Sequence, residues 1–125
     1  MTETTSQPLG EPTDQSPPDI TTMRRTARRF LAPDAKPILP EDLQTLVITM
    51  RGQLEVLIPA VEASTLTLPK GDVPAECALA GAREARTRLG LLLGDNSPGR
   101  MTVAMKLARS VMALCDHYQA LTGHQ

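Results

Sequence analysis

Apolar residues recur along this chain every three or four positions, the spacing of one face of an α-helix. Ile20, Met23, Ala27, Phe30 and Leu31 form a first stripe behind Asp19, a plausible helix cap. Pro33, Pro37 and Pro40 then impose an extended connector, because proline and the residue before it resist helix. A second stripe opens at Pro40-Glu41-Asp42 and runs through Leu43, Leu46, Val47, Met50, Leu54, Leu57 and Val61. It continues past Pro59, which predicts one helix over about 41–65, kinked rather than ended there. "LPKGDVP", residues 68–74, is turn chemistry with Asp72 or Val73 as the next cap. Ala75, Ala78, Leu79, Ala82, Leu89 and Leu93 mark a third helix. "GDNSPG", 94–99, breaks it, with Ser97 as cap and Pro98 opening the fourth. That helix turns Ala104, Leu107, Ala108, Val111, Leu114, Cys115, Tyr118 and Leu121 inward. The expectation is an all-α fold, a small antiparallel four-helix bundle, with a single helical domain over 19–125.

Composition sharpens this picture. With one Phe, one Tyr and no Trp, the core must be built from Leu, Ala, Val, Ile and Met, which suits helix packing better than sheet faces. Residues 1–18 are polar and proline-rich, and are expected to form a disordered acidic tail. Glu3, Glu11, Asp14 and Asp19 meet no basic residue within 1–19, which leaves 13 basic against 10 acidic residues beyond. No signal peptide or membrane-length apolar run is apparent, so a cytoplasmic protein without membrane contact is expected.

The second stripe has outliers. Ile48 and Val56 lie off it, so this helix is apolar on more than one side. It is therefore either the central helix or part of an interface with a protein partner or a second copy.

Three groups are candidates for chemistry. Cys115, Asp116 and His117 are neighbours, but successive helical residues point about 100° apart and do not face each other. Cys115 turns into the stripe as a small buried hydrophobe, and His117 lies toward the polar side. The run "RRTARR" places Arg24, Arg25, Arg28 and Arg29 opposite the first stripe. They are a possible polyanion contact, nucleic acid included, or a solvated face. Arg86 falls among the apolar positions of the third helix and, if buried, needs a carboxylate. Asp116 and Glu55 are the candidates for a buried ion pair, and an anion site in a helical cleft is the functional alternative. No metal-ligand spacing, nucleophile motif or phosphate-cradling glycine loop occurs, so no catalytic residue, metal or cofactor is assigned.

Four stretches together, "TTMRRTARRFLAPDA", "LIPAVEA", "LPKGDVPAECALAGAREARTRL" and "LARSVMALCDHY", carry a resemblance. Over roughly residues 20–121 the chain resembles a family of small actinobacterial proteins of unknown function labelled "natural product biosynthesis protein". The resemblance implies a cytoplasmic protein of secondary metabolism and supplies no catalytic residues. A non-catalytic accessory or interaction protein is the expectation. A regulatory nucleic-acid binder using the arginine run is the alternative, and a small-molecule binder with Arg86 in a cleft comes third.

Overall fold

Asp19 starts the first helix as its spacing predicts. In the computed structural model, which describes residues 17–90 and 97–123, its carboxylate accepts the Thr22 backbone N–H at 3.1 Å and the Thr22 hydroxyl at 2.7 Å. Helix α1 spans Ile20–Leu31 and ends at Ala32, whose extended backbone is what a residue before proline adopts. Helix α2 spans Pro40–Ser64. Leu39 gives it no side-chain cap, but Glu41 and Asp42 lie in its first turn against the positive end of the dipole. The helix runs through Pro59. Proline donates no N–H to the Glu55 carbonyl, and Pro59 lies on the exposed side, where water can take its place. Gly71 turns the chain with a positive φ of 85°, which favours glycine, and Asp72 then caps helix α3, Val73–Leu89, by accepting the Ala75 N–H at 3.0 Å. Helix α4 spans Ser97–Thr122. The described residues contain no strand. The acidic tail up to residue 16, the third-stripe residue Leu93, most of the "GDNSPG" breaker and the Ser97 side chain lie outside the described residues.

The four-helix bundle is therefore as expected, and its centre is α4. That helix packs against α1, α2 and α3, while α1 and α3 do not touch. Leu107, Val111, Leu114 and Cys115 are fully buried on it. Each buried side chain of this size contributes about 1.5–3 kcal/mol. The helices α1 and α3 seat on α4 differently. Ile20, Met23 and Phe30 fill the first contact, whereas Ala75, Ala78, Ala82 and Ala85 line the buried face of α3. Two contacts fix the antiparallel sense of α3 and α4. Arg88 near the end of α3 reaches Ser110, and Gly81 lies under the ring of His117. A Cβ at Gly81 would come within 3.1 Å of that ring, so glycine is what lets the imidazole lie on the helix. The seam between α1 and α2 is thinner. Gln53 donates to the Thr26 hydroxyl at 3.2 Å, and its buried Oε1 has no protein partner.

Candidate functional site

The Cys115-Asp116-His117 triplet is dispersed by the helix that carries it. Cys115 is fully buried among the core residues, and burial pushes its thiol up to about 11. A thiolate is scarce there at neutral pH, and the surrounding core shields the sulfur from solvent. Cys77 is exposed. Iodoacetamide at pH 8 should therefore modify one thiol in the folded protein and two in denaturant, counted by mass spectrometry. Asp116 is exposed and turns toward α1. His117 departs from the expected polar side. It is half-buried in the α3–α4 seam, because the gap opened by Gly81 accepts an aromatic ring. His124 lies outside the described residues. Among the described residues no three potential metal ligands come together.

The arginine run divides. Arg24 is not part of an open cationic face. It crosses to α4, where Asp116 accepts its guanidinium at 2.6 Å and Gln119 accepts a second bond. Only 16% of its side chain is exposed. The reason lies in its place beside Met23 and Ala27, at the border of the buried stripe, where its stem is carried over α4. Arg25, Arg28 and Arg29 remain exposed.

Arg86 corrects the expectation of a buried ion pair with Asp116. Its side chain is 54% exposed and forms a two-pronged pair with Glu62, one arm at 3.0 Å. The buried stripe of α3 passes through Ala78, Ala82 and Ala85, which leaves Arg86 at its edge facing the end of α2. The pair is therefore a half-exposed one, and the Arg86 guanidinium is engaged by a carboxylate of its own chain. Glu62, not Asp116 or Glu55, is the partner, and it lies two turns beyond Glu55 on the same side of α2. The bond from Arg86 holds the Glu62 carboxyl below its ordinary range. This pair stabilises the fold above the ordinary carboxylate value, and the contribution is lost as pH falls through the lowered one.

Arg88 had no expected role and has one. It donates to the Ser110 hydroxyl at 3.0 Å and the Lys106 carbonyl at 3.2 Å, and pairs with Glu84 at 3.0 Å. The Glu84–Arg88 spacing of four was legible as a helical pair. Ser110, a hydroxyl among the apolar residues facing inward on α4, was the signal for the rest.

What remains is a surface. Ile48 and Val56 are 60% and 52% exposed. With α4 central, the second apolar side of α2 is its outer face. Gly52 lies at the middle of that face, and Pro59 and Ala63 extend it, all exposed. Thr45 and Thr49 turn their hydroxyls back to the carbonyls of Glu41 and Thr45, at 3.4 and 2.9 Å, which leaves their methyl groups outward. The result is a ridge about 27 Å long from Thr45 to Ala63 at 1.5 Å per residue, apolar in most positions and acidic at Glu55. Among the described residues no helix is long and apolar enough to cross a membrane.

A family model matches residues 21–123, and the chain belongs to that family, a family of unknown function (DUF6415). No curated protein and no solved structure matches the chain.

Proposed function

We propose that this member of the family is a non-catalytic accessory protein of secondary metabolism, acting in the cytoplasm by contact, and that its contact surface is the outer face of α2. The observation that carries this reading is the exposed Ile48–Gly52–Val56 ridge on a helix whose other face is already buried. The setting is supported by the resemblance to proteins labelled for natural product biosynthesis.

The occupant we assign is a second copy of this chain, with its α2 antiparallel. If a two-fold axis passes by Gly52, the missing side chain lets the backbones approach, and a Cβ there meets nothing within 4 Å in the isolated protomer. Ile48 then packs on the partner's Val56, and Val56 on the partner's Ile48. Arg51 and Glu55 lie on the same flank of α2, and neither has an ion pair among the described residues. The two-fold places Glu55 about 3 Å along the axis from the partner's Arg51, so opposite charges meet twice across the seam.

Sedimentation equilibrium tests this. The expected species is twice 13.5 kDa, reduced to the single mass in Ile48→Glu and in Gly52→Leu. Gly52→Leu is the cleaner variant, because it improves helix propensity and should leave the protomer folded. A wild-type protein that stays at 13.5 kDa at ~100 μM, above the ~1 μM affinity of ordinary small interfaces, removes the self-association. The wider reading would then stand or fall on whether a protein recovered from native cells with the wild-type chain is lost with Ile48→Glu.

A further inference from the structure

The second feature that the interaction reading does not use is the end of α1. Arg25, Arg28 and Arg29 are spaced three and four apart, so they rise on one side of the helix, where like charges repel. Just after the helix, the Ala35 N–H bonds back to the Ala32 carbonyl at 3.0 Å. This turn carries Lys36 alongside the last turn of α1. The three arginines, Ala35 and Lys36 line an open hollow of about 260 Å³, mostly with their apolar atoms. Among the described residues no carboxylate comes within ion-pair distance of any of these four cations, whereas Arg24, Arg86 and Arg88 each have one. Asp19, bonded to Thr22, feels the charge of Arg25, but it stands beyond ion-pair distance and faces none of the other three cations.

The hollow suits an anion on simple magnitudes. The carbonyl end of α1 opposes an anion with about half a charge. Four full positive charges outweigh it. Guanidinium forks match phosphate oxygens two bonds at a time, and three flexible arginines rooted beside one small space can converge on a ligand with several oxygens close together. The floor is Ala35 and the methylene stems of the side chains, so it adds packing without competing donors. The site is also compact. With Arg24 withdrawn to α4, three arginines and one lysine cover a short arc, not the length of a nucleic-acid backbone.

We propose that this hollow is a binding site for a small molecule bearing a diphosphate group. The proposal is independent of the α2 contact and goes beyond it.

Isothermal titration calorimetry of the full-length protein with inorganic pyrophosphate, beside a 20-base-pair DNA duplex, decides it. The expected result is one pyrophosphate per chain. Arg29→Gln or Arg25→Gln should weaken binding about tenfold, as for loss of a charged hydrogen bond, and the triple change of Arg25, Arg28 and Arg29 to Gln should abolish it. Lys36→Gln should weaken it less. Arg83→Gln and Arg109→Gln, exposed arginines elsewhere, should leave it unchanged. All these positions are exposed, and circular dichroism melts check that the variants fold. Absence of pyrophosphate binding overturns the site. So does equal weakening by the Arg83 and Arg109 changes, which would mean general charge. Duplex binding that falls steeply with salt, with no binding of pyrophosphate, overturns it in favour of a nucleic-acid surface.

Discussion

Helices α1 and α3 both lean on α4, both carry several arginines, and solve the same problem in opposite ways. In α3 two of the three arginines are used up inside the molecule, and Arg83 stands exposed away from them. Arg86 is held by Glu62, and Arg88 by Glu84 and Ser110. The apolar side of that helix is made of alanines, so it lies close to its neighbours and its polar atoms are within reach of α4. In α1 only Arg24 is engaged, and the apolar contact rests on the larger Met23 and Phe30. Three arginines and Lys36 are left facing outward around a hollow. Arginine content alone does not mark a binding surface. What marks one is several arginines that lack an ion pair within the fold and gather around one space.

The contrast can be broken at either end. The largest effect should come from Phe30→Ala, which empties the seat of α1. A loss of about 3–5 kcal/mol is expected from buried aromatic truncations, read as a shift in the urea midpoint. On the other side the damage should come from adding volume. Ala82 is fully buried, and Ala82→Leu should cost about 1–3 kcal/mol by overpacking, where the same change on a loosely packed face would be neutral. Asp72→Ala removes the cap of α3 and should cost about 1 kcal/mol in the same assay. The smallest effect sharpens the comparison most. Changing Arg25, Arg28 and Arg29 together to Gln should move stability by no more than ~0.5 kcal/mol either way, since the repulsion it relieves offsets the loss of Arg28 and Arg29 from the negative end of the α1 dipole. A clear destabilisation by this triple change would show that these arginines hold α1 in place after all.

Much of the fold could be read from the residues, because helix existence depends on local spacing. The cap at Asp19, the continuation of α2 through Pro59 and the inward turn of Cys115 all follow from positions within one helix. Relations between helices did not follow. The choice of Glu62 over Glu55 for Arg86 depends on how far α3 slides along α2, which periodicity does not encode. The same is true of Arg24, whose destination is set by Asp116 and Gln119 far along the chain. The spacing of α4 alone puts His117 on the polar side, and the residue that decides otherwise is Gly81 on another helix. Of the surface features, Ile48 and Val56 were legible as off-stripe residues. The hollow at the end of α1 was not, because Lys36 joins the arginines only through the turn that follows the helix.

The position of α4 has a consequence for how the protein is made. All three other helices rest on it, and α1 and α3 have no contact with each other. On the ribosome, α4 is the last of the four to emerge. Until it does, the apolar stripes of α1 and α3 lack their main cover, and the thin seam between α1 and α2 offers little to hold a partial structure. Synthesis therefore passes through a stage in which most of the future core is exposed to the cell, and consolidation waits for one late segment. Substitutions that weaken α4 should lower the yield of soluble protein more than equal losses of stability placed in α1.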